Sequence, residues 1–246
     1  RDYIIHIPNT YNVNNTILLV FSFHGYGGNA SSIMSYTNFN FISDTAEFIV
    51  VYPQGTLLQG TTHWNVGGWT LASSIDDVGF IAALIDSISY LYNINLDRIY
   101  STGMSNGGYM SFLLACQLSH KIAAIASVTG SMTPQTYNQC NPEHPTPVLQ
   151  IHGSGDQVVP YVGAIWSLSI NDILQYWINF NSCDALPITT SITDINMFDG
   201  TTVERQSWFN GDNGVSTEHL KVFGGGHNWF GISGNMDIHS SAEIWN

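Results

Sequence analysis

The stretch that decides the fold is Arg98-Ile99-Tyr100-Ser101-Thr102-Gly103-Met104-Ser105-Asn106-Gly107-Gly108-Tyr109. Its first residues are typical of the end of a short strand, and the residues after Gly107 have the apolar spacing of a helix. A serine between two glycines at a strand–turn–helix junction is typical of a nucleophile held at a sharp turn. The turn strains the serine backbone, and the glycines let neighbouring backbone pass close by. The pattern also arises by chance in a chain with 23 glycines, so an ordinary serine in a glycine-rich turn is the alternative.

Strands and helices are expected to alternate on both sides of this junction. The predicted strands are residues 3–7, 17–23, 48–52, 98–101, 122–128, 148–151, 201–209 and 219–223, and the predicted helices are residues 31–48, 78–88, 108–115, 168–180 and 240–245. Such alternation predicts an α/β protein with a mostly parallel central sheet and helices on both faces. We expect one domain spanning residues 1–246. A long loop at residues 55–74 is more often functional than idle in a compact domain.

Composition excludes several classes of partner. The chain has 18 acidic and 5 basic residues and a net charge of −13, a surface that repels phosphate backbones, so we expect no nucleic-acid partner. No apolar run approaches the roughly 18–20 residues needed to span a bilayer, so we expect no membrane insertion. Neither metal-ligand motifs nor nucleotide-binding fingerprints occur, so we expect no metal and no cofactor. Because the sequence opens at Arg1, we expect that a leader or an upstream domain preceded it.

The three cysteines allow one disulfide at most. Cys116 lies on the apolar face of the helix after the turn, which predicts a core thiol. Cys140 and Cys183 both lie in polar, loop-like surroundings and are the candidates for a bridge, which suits an exported protein. Two free thiols remain the alternative.

Four predicted strand ends carry polar or glycine-rich groups, at His24-Gly25-Tyr26, Ser105, Asp156 and His227. In an open α/β sheet the carboxyl ends of parallel strands meet at one edge, where ligands bind. Serine, then aspartate, then histidine is the chain order of α/β-hydrolase triads. A serine hydroxyl needs a neutral imidazole to accept its proton, and a carboxylate fixes the imidazole tautomer. We therefore predict Ser105 as nucleophile, His227 as general base and then acid, and Asp156 as the orienting carboxylate.

Each of these predictions has a competing interpretation. Asp156 is also a candidate turn or cap residue, in which case Asp199 or Asp184 would orient the histidine. Asp76 and Asp77 are interpreted as acids at a helix start. His227 follows three glycines at a strand end, which distinguishes it from the other eight histidines.

An oxyanion hole needs two backbone donors. The N–H of Asn106, directly after the nucleophile, is the first candidate, and the N–H of Tyr26, in the loop after the second strand, is the other. His24 is interpreted as a structural hydrogen-bonding group and not as a catalyst.

Aromatic residues in the neighbouring loops are candidates for lining a substrate pocket. The predicted substrate-binding residues are Trp64, Trp69, Tyr161 and Trp229, and Trp166 lies in the same region. Of these, Trp64 and Trp229 are preferred because one lies on the long loop and the other lies two residues after His227. The alternative is that some of them only pack the loops.

Together the motifs resemble the esterase family that includes poly(3-hydroxybutyrate) depolymerases, bacterial feruloyl esterases and related secreted α/β-hydrolases. The resemblance runs nearly end to end. It rests on Arg1-Asp2-Tyr3 with Pro8 after the first strand, His24-Gly25, His63-Trp64-Asn65, Asp76-Asp77-Val78-Gly79-Phe80, Gly103 to Gly108, His152-Gly153 through Asp156 to Pro160-Tyr161, and Gly225-Gly226-His227-Asn228-Trp229.

The resemblance implies the α/β-hydrolase fold and serine-dependent hydrolysis of carboxylic esters, without a cofactor and in a secreted or periplasmic protein. The expected substrates are aryl (feruloyl-type) or acetyl esters of plant polysaccharide. The alternatives are a polyester or poly(3-hydroxybutyrate) oligomer, or a catalytically idle binding domain on the same fold. Two departures, Phe230-Gly231 where many relatives have Pro-Gly and Tyr26 where some have Cys, lie beside the expected pocket and affect the substrate prediction.

Overall fold

A computed structural model describes the whole chain, residues 1–246. The strands are β1 Tyr3–His6, β2 Ile17–Phe23, β3 Phe48–Pro53, β4 Thr56–Leu58, β5 Thr61–His63, β6 Ile94–Met104, β7 Ala124–Val128, β8 Val148–Gly153, β9 Ile188–Ser191, β10 Thr202–Trp208 and β11 Thr217–Phe223. The α-helices are α1 Ala30–Thr37, α2 Phe39–Ala46, α3 Asp77–Leu91, α4 Asn106–Gln117, α5 Pro134–Asn138, α6 Ile170–Phe180 and α7 Ser240–Trp245. Two short 3₁₀ turns lie at Gly68–Thr70 and Asp212–Gly214.

Nine strands form one sheet in the order β1-β3-β2-β6-β7-β8-β11-β10-β9. All neighbours from β3 to β11 are parallel, and the edge strands β1, β10 and β9 are antiparallel. Parallel neighbours need crossover connections, which the helices supply, and those helices cover the sheet faces. The predicted mostly parallel sheet is therefore confirmed.

Apolar side chains form a core on each face of this sheet. The larger core lies under α3, α4 and α6, and the smaller one lies under α1, α2 and α7. Because both faces are covered, β2 and β3 are apolar along nearly their whole length, as their sequences predicted. The prediction that helices cover both faces of the sheet is therefore confirmed.

Several local expectations from the sequence were incomplete. The single helix predicted over residues 31–48 is two helices, because Asn38 adopts a left-handed conformation with φ of 54° between α1 and α2. The predicted loop at residues 55–74 contains the β4–β5 hairpin, and residues 130–147 contain α5. The edge strand β9 was missed because all four of its residues are exposed and show no alternation.

The cysteine pairing predicted from the sequence was wrong. Cys116 and Cys140 form the disulfide, and Cys183 is free. Cys116 is buried, with 4% of its surface exposed, as its place on the apolar face of α4 predicted. Burial does not exclude a disulfide partner, however, because the segment after α5 places Cys140 beside Cys116 at the end of α4. The pairing depends on how this loop folds back, which the spacing of the cysteines does not encode.

Helix length and hydropathy bear on membrane association. No helix in the structure is both long enough and apolar enough to cross a membrane.

Candidate active site

The turn around Ser105 has the geometry that its sequence predicted. β6 ends at Met104, α4 begins at Asn106, and Ser105 between them has φ of 54° and ψ of −120°. A non-glycine residue in this region is strained, and the surrounding hydrogen bonds must hold it there. The Ser105 N–H donates to the carbonyl of Val128 at 2.8 Å, and the Ser105 carbonyl accepts from the Tyr109 N–H at 3.0 Å. The sheet and the first turn of the helix thus fix this conformation from both sides.

Two glycines allow α4 to pack directly against the sheet at this turn. A Cβ atom on Gly103 would lie 2.7 Å from the carbonyl oxygen of Phe23, and one on Gly107 would collide with the same oxygen. Any side chain at either position would push the helix away from β2. The glycines of the motif are therefore required by close backbone approach and not by a positive φ.

His227 and Asp156 form a hydrogen-bonded pair. Nδ1 of His227 lies 2.8 Å from Oδ2 of Asp156. The Asp156 side chain is completely buried, whereas 18% of the His227 side chain is exposed. A carboxylate can only accept, so Nδ1 carries the proton and Nε2 is left free to act as a base.

Asp156 is ionised in this setting. Burial alone would raise the pKa of its carboxyl, but the hydrogen bond and charge of His227 and the backbone N–H of Val159 lower the pKa below its usual value. Oδ1 accepts from the N–H groups of Val158 at 2.8 Å and Val159 at 2.9 Å. Both carboxylate oxygens therefore have partners, and Asp156 acts as more than a turn residue.

The other carboxylates proposed as alternatives do not contact His227. Asp76 caps α3 by accepting from the Gly79 N–H at 2.7 Å, as interpreted from the sequence. Asp77 is buried and pairs with Arg1 at 2.6 Å. Asp199 accepts from the backbone N–H groups of Thr201 and Met236, and Asp184 accepts from the side chain of Asn210. Each of these acids has a partner other than His227.

The sheet brings Ser105 to the same edge as the His227–Asp156 pair. Ser105 follows β6, Asp156 follows β8 two strands away, and His227 follows β11, the neighbour of β8. Ser105 is partly exposed, and no hydrogen bond joins its Oγ to His227 in this structure. Such contacts are commonly long in unliganded hydrolases and shorten when substrate binds.

Two backbone N–H groups near Ser105 have no partner in the protein. Asn106 opens α4, so its N–H has no carbonyl one turn earlier to bond. In the loop after β2, the N–H groups of Gly27 and Gly28 donate to Thr62 and Gly25 carbonyls, whereas that of Tyr26 makes no hydrogen bond. The two N–H groups predicted to form an oxyanion hole are therefore unpaired within the protein, and their role stays a prediction.

Gly25 brings this loop against the serine, a contact that its place in the His24-Gly25-Tyr26 motif did not predict. A methyl group built on Gly25 would lie 3.4 Å from Cβ and 4.0 Å from Oγ of Ser105. His24 before it is structural, as predicted. Its Nδ1 donates to the Gly25 carbonyl at 2.8 Å, its Nε2 accepts from the Gly55 N–H at 3.0 Å, and burial lowers its pKa.

Trp64 does not line a pocket, and the preference for it as a substrate-binding residue was wrong. Its side chain is fully buried, and its Nε1 donates to the carbonyl of His24 at 2.9 Å. The side chain of Asn106 holds its backbone, because Oδ1 accepts from the Trp64 N–H at 2.7 Å and Nδ2 donates to the Trp64 carbonyl at 3.1 Å. Trp64 thus joins the 55–74 loop to both candidate oxyanion donors.

Trp229 is buried as well, so the prediction that it binds substrate was also wrong. Its side chain has no exposed surface and its Nε1 donates to Oγ of Ser241 at 3.0 Å. Its ring packs edge-on against Tyr36 and Phe39. The residue fixes the segment after His227 onto α1, α2 and α7.

Trp69, Trp166 and Tyr161 are partly exposed and remain candidates for substrate contact. The rings of Trp69 and Trp166 meet edge to face with centroids 5.1 Å apart, and both lie near Tyr109, one turn after Ser105. Tyr161 faces inward, and its hydroxyl bonds Nε2 of His219 at 3.0 Å. The sequence could identify these aromatics but not which of them reach the surface.

Cavities of ≈430, ≈320 and ≈620 Å³ exist in the structure, and neither Ser105, Asp156 nor His227 lines any of them. The cavity of ≈430 Å³ lies at the opposite end of the strands, beside Arg98 and Trp245. No group of three or more histidine, cysteine, aspartate or glutamate side chains is arranged to hold a metal ion.

Comparison with known sequences finds esterases among the proteins that this chain is similar to. Residues 72–180 match the family model described as Phospholipase/Carboxylesterase. The chain is 27% identical over 227 residues to a bifunctional acetylxylan esterase/xylanase of Neocallimastix patriciarum, covering 92% of this chain and 31% of that protein. It is 28% identical over 169 residues to a probable feruloyl esterase C of Aspergillus flavus, covering 67% of this chain and 58% of that one. The chain thus spans between about a third and two thirds of the length of such relatives.

Solved structures share the fold. An acetyl xylan esterase from Aspergillus awamori superposes with a TM-score of 0.70 at 16% identity, covering 99% of this chain and 92% of that one. A feruloyl esterase module from Clostridium thermocellum, complexed with sinapinate, superposes with a TM-score of 0.62 at 14% identity, covering 92% and 77%. The strand order and these solved structures show that the chain has the α/β-hydrolase fold, and its sequence is similar to those of feruloyl and acetylxylan esterases.

Proposed function

We propose that this protein is a serine carboxylic-ester hydrolase in which Ser105 is the nucleophile, His227 the general base and acid, and Asp156 the orienting carboxylate. The observation that carries the proposal is the strained backbone of Ser105 at the β6–α4 turn, on the sheet edge that also holds the His227–Asp156 pair. Strain of this kind persists only where the surroundings impose it, and it exposes the serine oxygen to a substrate.

Acylation follows from the protonation states. Nε2 of His227 takes the Ser105 Oγ proton as Oγ bonds the ester carbonyl carbon, and the carbonyl electrons move to its oxygen. The N–H groups of Tyr26 and Asn106 donate to that oxyanion, each worth about 3–4 kcal/mol in the transition state. The C–O bond to the alcohol then breaks, and His227 returns the proton to the departing oxygen.

Deacylation repeats the sequence with water. His227 takes a proton from a water molecule as its oxygen attacks the acyl carbon. The bond to Ser105 then breaks, and the serine oxygen recovers the proton from His227. The products are a carboxylic acid and an alcohol, and Asp156 remains ionised beside the transient imidazolium throughout.

We propose aryl (feruloyl-type) or acetyl esters of plant polysaccharide as substrates, on the resemblance to acetylxylan and feruloyl esterases. The partly exposed Ser105 and His227 suit an ester carried on a polymer, which cannot enter a closed cavity. The Cys116–Cys140 disulfide favours action in an oxidising compartment outside the cytoplasm.

The test is ester hydrolysis by wild type and by Ser105→Ala. The panel contains p-nitrophenyl acetate, methyl ferulate, acetylated xylan and a hydroxybutyrate trimer, the last for the polyester alternative. Ser87→Ala on the exposed face of α3 is the matched control. We expect Ser105→Ala to lose at least about 10³-fold in kcat with an unchanged melting temperature, and Ser87→Ala to match wild type. Equal activity of Ser105→Ala and wild type, or no hydrolysis of any ester, refutes the proposal and favours an idle binding domain.

A further inference from the structure

Asp156 lies between two histidines, and the mechanism above uses only one of them. Oδ2 of Asp156 is 2.8 Å from Nδ1 of His227 and 3.5 Å from Nε2 of His152. His152 is the penultimate residue of β8, four residues before Asp156, and its side chain is fully buried. A buried histidine in contact with the orienting carboxylate requires an explanation of its own.

The tautomer of His152 is fixed by its neighbour on the strand. Nε2 of Gln150 lies 2.9 Å from the carbonyl of Gly130 and 3.0 Å from Nδ1 of His152. A carbonyl can only accept, so the Gln150 group that faces it is the NH₂, and its second hydrogen meets Nδ1. Nδ1 is therefore an acceptor, and the proton of neutral His152 is on Nε2.

That proton is directed at the loop that holds the carboxylate. Nε2 of His152 donates to the carbonyl of Val159 at 2.9 Å, while the N–H of the same Val159 donates to Oδ1 of Asp156. Val159 is itself buried, with 2% of its surface exposed. One peptide segment is thus held at its carbonyl by His152 and presents its N–H to Asp156. The same Nε2–H also places partial positive charge beside Oδ2.

We propose that His152 is a positioning residue for the ester hydrolysis: its Nε2–H holds the 156–159 loop so that the Asp156 carboxylate stays aligned with Nδ1 of His227. The inference rests on the proposed function of Ser105 and His227, and extends it to a residue that does not touch substrate.

The groups around His152 keep its role distinct from that of His227. The titratable groups that face it are Asp156, His227, His219 and Tyr161, the last with its ring centroid 6.0 Å away. Burial lowers the pKa of His152 to about 4, which the hydrogen bond to Val159 and the charge of Asp156 only partly offset. His152 is therefore neutral at pH 7, so in the proposed reaction His227 alone takes up the proton.

The experiment compares His152→Leu with His152→Gln. Leucine fills similar space without a donor, whereas the glutamine amide can donate to Val159 and accept from Gln150. His219→Leu is the matched control, since His219 is an equally buried histidine that bonds the Gln150 carbonyl and Tyr161 and makes no contact with Asp156. Measurements are kcat, KM, the pH profile of kcat/KM and the melting temperature.

We expect His152→Leu to lower kcat by about 10- to 100-fold with KM changed by less than about threefold, since the residue touches no substrate. With the Asp156 carboxylate displaced, the acidic limb of the kcat/KM profile should move away from its wild-type position. His152→Gln should recover most of kcat and restore the limb. His219→Leu should lower the melting temperature while keeping the wild-type pH profile.

The outcomes separate this inference from the proposed function. A wild-type pH profile and kcat in folded His152→Leu overturn the positioning role, even if the variant is less stable. An equal shift of the limb in His219→Leu also overturns it, because a general loss of packing would then explain the effect. If His152→Leu does not fold, the comparison of His152→Gln with His152→Asn tests the role instead. The shorter asparagine side chain cannot reach the carbonyl of Val159, so equal kinetics of these two variants refute the positioning role. Absence of esterase activity in wild type refutes the proposed function instead.

Discussion

The side chain of Asn106 is the connection between the serine turn and the 55–74 loop, and its removal tests how much that connection stabilises the site. Its amide makes two hydrogen bonds with the backbone of Trp64, at 2.7 and 3.1 Å, and both residues are fully buried. In Asn106→Ala the Trp64 N–H and carbonyl have no other partner and no access to water. Each unsatisfied buried group costs about 1–3 kcal/mol, which gives about 4 kcal/mol for the pair.

A loss of that size is a large part of the stability of a typical domain, about 5–15 kcal/mol. For a chain of this length about 4 kcal/mol corresponds to a fall in melting temperature of roughly 8–16 °C. Activity should fall too, because Trp64 also holds the carbonyl of His24 and thereby the loop with the Tyr26 N–H. Partial misplacement of one oxyanion donor predicts a loss in kcat of about 10- to 100-fold, less than full removal of the donor.

Urea unfolding followed by circular dichroism, with kcat and KM measured on the folded variant, tests this prediction. Asn93→Ala is the control, because the Asn93 amide also bonds backbone, at the carbonyl of Val13, but in an exposed setting. We expect the control to lose less than about 1 kcal/mol. If Asn106→Ala loses no more than the control and keeps its kcat, water has replaced the amide, and the argument that this side chain fixes the site is refuted.

Two further predictions concern stability. Replacing Cys116 and Cys140 by alanine opens a closed loop with a sequence separation of 24. This should lower the free energy of unfolding by about 3.5 kcal/mol, whereas Cys183→Ala should change it little. Equal effects of the two replacements would contradict the pairing of Cys116 with Cys140. Burial lowers the pKa of His152 from 6.5 to about 4 and that of His219 to about 3. As pH falls, both residues are therefore protonated in the unfolded state before they are protonated in the folded state. Their contribution to folding stability is complete above about pH 6.5 and is lost as pH falls toward 4 and then 3. Melting temperatures measured from pH 7 to pH 4 check this, and a smaller acid-induced fall is expected in a variant with His219 replaced by leucine; an unchanged fall would contradict it.

The structure agrees with the sequence in the local geometry around the candidate site. Ser105 lies in the strained turn that its strand–helix junction predicted. The glycines on either side are required because their backbone passes too close to Phe23 for any side chain. The positions of Asp156 and His227 followed from the rule that parallel strands end at a common edge. The structure pairs these two residues at 2.8 Å, whereas the roles assigned to them remain a proposal.

The failures share a different cause. Trp64 was expected to contact substrate because it lies on the long loop, and Trp229 because it lies two residues after His227. Each indole ring is instead buried in the core, and its N–H bonds a partner 40 or 12 residues away in the chain. The direction of a side chain on a loop depends on the surfaces packed against it, which local sequence does not contain. The pairing of Cys140 with Cys116 failed for the same reason.

By itself the sequence determined the α/β alternation, the serine turn and the chain order of the three candidate catalytic residues. These features depend on residue periodicity and on backbone sterics, which act over a few residues. Only the tertiary structure decided which side chains support the site, among them Asn106 against Trp64 and His152 against Val159. Such contacts join segments that are distant in the chain or set by one loop conformation, and their hydrogen bonds exist only once burial has excluded water from both partners.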